Sequence, residues 1–210
     1  MITCLLNGCS HVKGWGLSWN QYTEKDKNFI REENTYLALL ARKIYPDCKI
    51  INMAEQGGSN ERIFRTTTEY IFWNSIPELY NYKVDLVDVQ KGFIKIFIGW
   101  TNPHRLEFYR DKEKKWGKVC VGANFKYEGI KSIEYRGVIR LMGDTVKQNE
   151  YLKLYKRTLF ELCEHNDIKL YSYDSMEFWN WACSVYQPDK TGHFGLEIHQ
   201  EYANILYDNQ

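Results

Sequence analysis

The segment LLNGCSHVKGWG occupies residues 5–16 and follows an apolar opening of the chain. Its apolar residues give way to a thiol, a hydroxyl and an imidazole in consecutive positions, Cys9, Ser10 and His11. A short apolar run that ends on Asn and Gly is typical of a buried strand. We therefore expect a strand at Ile2–Leu6 that is followed by a turn rich in reactive side chains.

The same pattern recurs along the chain and alternates with helical periodicity. Further buried strands are predicted at Cys48–Met53, Phe93–Gly99 and Ile168–Tyr173. Amphipathic helices are predicted at Glu32–Tyr45, Ser59–Ile76, Lys147–His165 and Gly195–Leu206. Alternating strands and helices indicate a mainly parallel sheet covered on both faces, which is a three-layer α/β/α sandwich.

The 210 residues fit a single domain spanning positions 1–210. Residues 106–146 interrupt the alternation with many aromatic and charged residues and several glycines. We expect this segment to be an insertion of hairpins and loops beside the site. Its densest charge run, Arg110–Lys115, mixes both signs and is typical of a solvated turn.

The composition excludes several classes of function. Lys and Arg number 28 against 27 Asp and Glu, a net charge of +1 without a basic stripe, so nucleic-acid binding is not expected. The six cysteines are scattered, which favours free thiols in a reducing compartment over disulfides. No signal peptide and no membrane span is evident, and we expect a cytoplasmic protein.

Polar and glycine-rich segments follow the predicted strands. In chain order these segments are NGCSH, AEQGGSN, GWTNPHR and YDS. The carboxyl ends of parallel strands meet at one edge of a sheet, where α/β proteins bind their ligands. The sequence therefore predicts a site at this edge.

The residue types at this edge suit acyl transfer. Ser10 supplies a hydroxyl, and Asn102 supplies an amide. Residues 52–60 run into a helix N-terminus, where backbone N–H groups point outward and favour negative charge. Asp189 and His193 precede the last helix and supply a carboxylate and an imidazole. A nucleophile, a base with its acid and oxyanion donors are the parts of a serine hydrolase.

Four blocks resemble those of the SGNH hydrolase superfamily, the GDSL-like esterases and lipases. They are GCS at 8–10, NMAEQGGSN at 52–60, IGWTN at 98–102 and DKTGH at 189–193. The strings NGCSH, GGSNERIFR, GWTNPHRLE and GHFGLEIHQEYANIL also resemble a sub-branch common in bacteriophage genomes. The resemblance covers the first 110 and last 50 residues. A phage-encoded member would work in the host cytoplasm or in the virion.

The resemblance implies a flavodoxin-like fold and hydrolysis of an ester or O-acyl group, such as O-acetyl on carbohydrate, through an acyl-enzyme. It implies Ser10 as nucleophile, His193 as base and Asp189 as acid. The Ser10 and Gly57 N–H groups, with the Asn102 amide, would bind the oxyanion. We expect no cofactor. A metal site is not expected either, because His193 and His199 lack a third ligand at a recognisable spacing.

Several assignments stay open at the level of sequence. Thr101 competes with Asn102 for the family's asparagine position, because this block is one residue longer than the family pattern. Asp189 competes with another carboxylate, because three residues rather than two separate it from His193. Cys9 is a rival nucleophile, although packing is the better interpretation of its thiol.

Other residues near the predicted edge have two readings. Trp100, Thr101 and Arg105 are the predicted substrate contacts. Arg65, Arg105 and Glu107 would orient an anionic substrate or form a structural Arg–Glu pair. His11 would contact substrate or lie at the surface, and His199 is expected to be structural. The alternative function is a non-catalytic module of the same family that binds a glycan or a protein, in a virion for instance.

Overall fold

The computed structural model describes residues 1–14, 17, 33–73, 93–103, 105–110, 115–120, 144–188 and 194–210. Its strands are β1 (Thr3–Gly8), β2 (Lys49–Asn52), β3 (Ile94–Trp100), β4 (Arg105–Arg110), β5 (Lys115–Cys120) and β6 (Lys169–Asp174). Its helices are α1 (Ser10–Lys13), α2 (Tyr36–Ile44), α3 (Asn60–Trp73), α4 (Thr145–His165), α5 (Ser175–Val185) and α6 (Leu196–Asp208).

Four strands form a parallel sheet in the order β2-β1-β3-β6. All four coincide with predicted strands, so the predicted parallel α/β fold is confirmed. β1 continues two residues beyond its predicted end at Leu6, because its register with β3 holds as far as the pair Gly8 and Gly99. The carboxyl end of β1 therefore lies beside that of β3.

Helices cover both faces of this sheet, as side-chain alternation along β1 and β3 shows. Cys4, Leu6 and Phe97 belong to a buried cluster with residues of α2, α5 and α6. Leu5 and Ile96 belong to a second buried cluster with residues of α3 and α4. Successive side chains of a strand point to opposite faces, so the two clusters are the two interfaces of a three-layer sandwich.

Two helices begin at positions that differ from those predicted by periodicity, because a capping side chain fixes each start. Thr35 Oγ1 accepts a hydrogen bond from the Ala38 N–H, so α2 begins at Tyr36 rather than at Glu32. The Asp144 carboxylate accepts hydrogen bonds from the N–H groups of the second and third residues of α4. This helix therefore begins two residues before its predicted start at Lys147. Helix α5 was not predicted from the sequence.

The insertion predicted at 106–146 contains one hairpin in its described part. β4 pairs with β5 in antiparallel register, from Arg105 opposite Cys120 to Arg110 opposite Lys115. β4 begins one residue before the predicted insertion. The predicted charged turn and the remainder of the insertion, at 111–114 and 121–143, lie outside the described residues.

Candidate functional site

The candidate site is built on the carboxyl end of β1. Cys9 follows the strand with an extended backbone, and Ser10 is the first residue of the short helix α1. The structure therefore puts Ser10 at the sheet edge that the sequence predicts. Both residues are buried, with Ser10 4% exposed. The burial of Cys9 fits the packing role that the sequence favours for this thiol.

Two glycines allow α1 to approach the sheet closely. A Cβ atom on either Gly8 or Gly99 would come within 2.5 Å of Val12 Cγ2. Any side chain at these positions would push α1 away from the sheet. The paired glycines thus determine how far Ser10 lies from the strand ends.

The glycine-rich loop after β2 packs against the same strand end. The Glu55 N–H donates to the Gly8 carbonyl at 3.2 Å, and the Gly58 N–H donates to the Glu55 carbonyl at 3.0 Å. Gly57 is the third residue of the resulting turn and has φ 71°. This left-handed conformation favours glycine. The predicted oxyanion glycine is therefore held beside the strand that leads to Ser10.

Asn52 connects this loop to α1. Its Nδ2 donates to the Val12 carbonyl at 2.8 Å, and its Oδ1 accepts from the Ala54 N–H at 3.0 Å. One side chain therefore joins the residues just before the glycine turn to the helix that begins with Ser10. The sequence alone indicates no role for Asn52 beyond its place in the glycine block.

The loop after β3 completes the edge. The Asn60 amide makes two hydrogen bonds of 2.8 Å with Thr101, accepting from its N–H and donating to its carbonyl. Thr101 is buried, whereas Asn102 is half-buried. The main chain of Thr101 is thus occupied by Asn60, and the side chain nearer to solvent is that of Asn102.

Trp100 corrects one sequence prediction. Its indole has 0% exposure and donates from Nε1 to Ser172 Oγ at 2.8 Å. A side chain without accessible surface belongs to the core beneath the site. The predicted substrate contact through Trp100 is therefore not retained.

Arg65 and Glu107 form the structural ion pair that the sequence left as one of two readings. Arg65 Nη2 lies 2.9 Å from Glu107 Oε2, and Arg65 Nη1 lies 3.6 Å from Glu69 Oε2. Burial raises the pKa of the Glu107 carboxyl, although Arg65 opposes the shift. Both partners are engaged with each other rather than displayed to a ligand.

Arg105 differs from this pair. It is half-buried at the start of β4, three residues after Asn102. Its Nη1 atom is buried and has no hydrogen-bond partner in the described part of the chain. The guanidinium group of such a half-buried side chain is suited to an anionic or carbonyl oxygen.

A buried polar network that the sequence did not predict lies under the end of β1. Asn7 Nδ2 donates to Ile63 O, Thr66 Oγ1 and Thr67 Oγ1, while Asn7 Oδ1 accepts from the Gly8 N–H. Arg62 is also buried and contacts Asn7 Oδ1. The string GGSNERIFR contains Arg62, but nothing in its spacing indicates that this charge points inward.

The catalytic pair predicted near the carboxyl terminus, Asp189 and His193, lies outside the described residues. Phe194, the next residue after His193, packs on Phe178 and Trp179 with ring centroids 5.9 and 5.2 Å apart. His11 packs on the same two rings at 5.4 and 5.3 Å. The neighbours of Ser10 and of His193 in the chain therefore share one aromatic cluster.

The side chains of His11 and His199 are both buried. The burial of His11 excludes the surface position, one of the two alternatives that the sequence left open. His199 is buried too, and its Nδ1 accepts a hydrogen bond of 3.1 Å from the Tyr36 N–H at the start of α2. This contact confirms the structural role that the sequence favours for His199.

The part of the chain that the structure describes holds no group of three His, Cys, Asp or Glu side chains able to bind a metal ion. Among the helices described above, none is long and apolar enough to cross a membrane.

No protein-family model and no curated protein sequence matches the chain. Solved structures similar to it include a carbohydrate esterase whose active site displays divergent catalytic and non-catalytic binding functions, at 14% identity and a TM-score of 0.42. The match covers 99% of this chain and 64% of that one. This chain thus spans less than two thirds of the esterase's length.

Two further similar structures are of esterases or lipolytic proteins. A member of the lipolytic protein G-D-S-L family from Veillonella parvula matches at 10% identity, full coverage of both chains (100%) and a TM-score of 0.39. An acetyl xylan esterase from the rumen bacterium Butyrivibrio proteoclasticus matches at 12% identity, 99% and 62% coverage and a TM-score of 0.41. Identities this low do not extend to activity, substrate or site residues.

Proposed function

We propose that the protein is a serine hydrolase of SGNH type that cleaves an ester or O-acyl group. The observation that carries the proposal is the meeting of three loops at one sheet edge. Ser10 follows β1, the Gly57 turn is bonded to β1 through Glu55 and Gly8, and Asn102 follows β3, the neighbour of β1. A nucleophile and its oxyanion donors must come from neighbouring loops to reach one acyl group, and this arrangement supports that assignment.

In this mechanism His193 accepts the hydroxyl proton of Ser10 while Ser10 Oγ attacks the acyl carbonyl. Asp189 orients the imidazole and stabilises its charged form. The tetrahedral intermediate expels the alcohol, which takes the proton from His193, and leaves an acyl-Ser10 ester. Water then attacks this ester with His193 again as base, which releases the acid and regenerates Ser10.

The shared aromatic cluster supports the pairing of Ser10 with His193. Phe194 and His11 contact the same rings, and consecutive Cα atoms are about 3.8 Å apart. His193 and Ser10 are each one residue from a member of that cluster. The chain neighbours of Ser10 and His193 therefore pack on the same two rings, which supports the proposed pairing.

Asn102 is our choice for the third oxyanion donor, next to the N–H groups of Ser10 and Gly57. The main chain of Thr101 is engaged by Asn60, and its residue is buried. Asn102 is the more accessible of the two. Removal of one oxyanion donor typically lowers turnover by roughly 100-fold to 1,000-fold.

For the substrate we propose an O-acylated carbohydrate, with Arg105 contacting an oxygen of the substrate. Support comes from the position of Arg105, which is half-buried at the start of β4, three residues after Asn102. The sequence blocks that resemble the SGNH hydrolases are the second support.

The test is labelling of the protein with a fluorophosphonate probe and hydrolysis of p-nitrophenyl acetate. We expect labelling and hydrolysis by the wild type, both lost in Ser10→Ala with an unchanged circular dichroism spectrum. Cys9→Ala is the matched control, because Cys9 is the adjacent rival nucleophile, and it should keep both. Labelling that persists in Ser10→Ala would contradict the proposal.

The second candidate function is a non-catalytic binding module of the same fold. The burial of Ser10, at 4% exposure, is the observation that favours it. A folded wild type that neither reacts with the probe nor hydrolyses the ester would select this function.

A further inference from the structure

The first turn of α3 contacts both loops that carry the proposed oxyanion donors. Asn60 begins the helix, and Arg62 is two residues further on. Asn60 is hydrogen-bonded to Thr101, which precedes Asn102. Arg62 contacts the segment that precedes Gly57. One helical turn thus connects the two sides of the candidate oxyanion hole.

Arg62 holds its loop with a buried guanidinium group, since its side chain is only 3% exposed. Its Nη2 donates to the Met53 carbonyl at 3.1 Å, and its Nε lies 2.8 Å from Glu55 Oε2. Its Nη1 reaches Asn7 Oδ1 at 3.5 Å, in the strand that leads to Ser10. A planar guanidinium presents several donors in fixed directions, which an ammonium group does not.

These contacts act on the geometry of the glycine turn. Glu55 is the first residue of that turn, and Gly58 is its last. A Cβ on Gly58 would lie 3.2 Å from the Gly8 carbonyl, so the turn is already packed tightly on β1. Arg62 is hydrogen-bonded to Met53 and ion-paired with Glu55, so the turn that contains Gly57 is restrained at its start.

A purely stabilising role is a poor explanation of this buried charge. Removing an arginine from water is costly, and apolar replacements of buried ion pairs are often equally stable. Glu55 has 34% of its side chain exposed, so water can solvate it when its partner is removed. The placement of the charge against the loop is the feature that an apolar side chain would not reproduce.

We propose that Arg62 and Asn60 are positioning residues, which hold the Gly57 turn and the Asn102 loop in the geometry that binds the oxyanion. The inference rests on the proposed hydrolase function. Neither residue touches the substrate in this scheme. Their effect is therefore on the rate of acyl transfer, with little effect on the binding of the ester.

The experiment measures kcat and KM for p-nitrophenyl acetate in Arg62→Ala, with and without added guanidinium chloride far below the unfolding transition. We expect kcat to fall about 100-fold, as for a small misplacement of reacting groups, with KM changed less than about threefold. Guanidinium should restore part of the lost kcat, because it refills the site left by the side chain. Asn60→Ala should lose a similar factor without rescue by guanidinium.

Arg42 provides a matched control on α2. Its Nη1 donates to the Glu33 carbonyl and its Nη2 pairs with the Glu33 carboxylate, as Arg62 pairs with a carbonyl and a carboxylate. Arg42→Ala should keep the wild-type kcat and show no response to guanidinium. If Arg62→Ala does not fold, Arg62→Lys retains the charge without the planar donors and should lose kcat at unchanged KM.

Each outcome decides the inference. Wild-type kcat in a folded Arg62→Ala or Arg62→Lys variant overturns it, and so does an equal loss in Arg42→Ala. Absence of Ser10-dependent hydrolysis in the wild type overturns the proposed function and the inference with it. If the wild type is active and substitution of Arg62 leaves kcat unchanged, the inference is overturned and the proposed function stands.

Discussion

Gly99 illustrates how the lack of one Cβ organises three elements. A methyl group there would lie 2.5 Å from Val12 Cγ2, 2.7 Å from Ser175 Oγ and 2.8 Å from the Tyr36 hydroxyl oxygen. Ser175 Oγ and the Tyr36 hydroxyl are themselves hydrogen-bonded at 3.2 Å. Helices α1, α2 and α5 therefore meet over one backbone position at the end of β3.

Gly99→Ala should lower the free energy of unfolding by about 2 kcal/mol, within the range of core overpacking. The added methyl group must displace Val12 or break the contact between Tyr36 and Ser175. Urea denaturation monitored by tryptophan fluorescence measures the change. Gly195→Ala is the control, since a Cβ there meets nothing within 4 Å. Equal stabilities of the two variants would contradict the packing argument.

At the scale of elements, α3 carries two arginines that form separate ion pairs, Arg62 in its first turn and Arg65 in its next turn. Its first turn faces the loops of the candidate site through Arg62. Its next turn places Arg65 between Glu69 and the buried Glu107 of β4. Glu61 lies near the ion pairs of Arg65, and burial followed by the charge of Glu107 raises the pKa of its carboxyl.

The raised pKa of Glu61 sets the sign of a pH-dependent effect. A carboxyl whose pKa is higher in the folded state binds its proton more tightly there, so its contribution favours folding at low pH and is lost as the pH rises through that pKa. Glu61→Gln should therefore stabilise the protein near neutral pH, by about 0.5 kcal/mol for one like-charge contact. At about pH 3.5, below the ordinary pKa of glutamate, the gain should vanish.

Urea denaturation of both proteins at the two pH values measures this difference. The control is Glu150→Gln, in which the lost pair with Lys153 is exposed on α4. Exposed pairs contribute little, so this variant should differ little from the wild type at either pH. A gain in Glu61→Gln that is the same at both pH values would refute the electrostatic explanation.

At the scale of the whole molecule, the described sheet separates two buried clusters. The first lies under α2, α5 and α6, and the second lies under α3 and α4. β1 and β3 contribute side chains to both clusters and pair with a strand on each side. β2 and β6 have one strand neighbour each among the described residues and are only partly buried.

Amide hydrogen exchange should follow this arrangement. We expect the slowest exchange in β1 and β3, because their hydrogen bonds open only when both clusters come apart. β6 should exchange faster, since its register is supported from one side and its residues are half-buried or exposed. Mass spectrometry of peptic peptides resolves the strands. Protection of β6 equal to that of β1 would contradict the two-cluster description.

The positions of the strands and most helices were predictable because each depends on local periodicity. Alternation of apolar runs and amphipathic segments is visible in a single chain, and burial of those runs requires covered faces. Helix α5 was not predicted, although Glu177, Asn180 and Ser184 share its exposed face and Phe178 and Ala182 are buried. Its start is marked only by Asp174, whose carboxylate accepts from the Met176 N–H.

For the candidate site, the sequence by itself determined which residues follow the strand ends: Ser10, Gly57 and Asn102. Only the tertiary structure decided that Trp100 is inside the core and that Arg62 points toward the Gly57 turn. The side chain that faces a strand end depends on contacts between residues such as Asn7 and Thr67, 60 positions apart. Such contacts leave no periodic trace in the chain, because they form only when the sheet brings distant segments together.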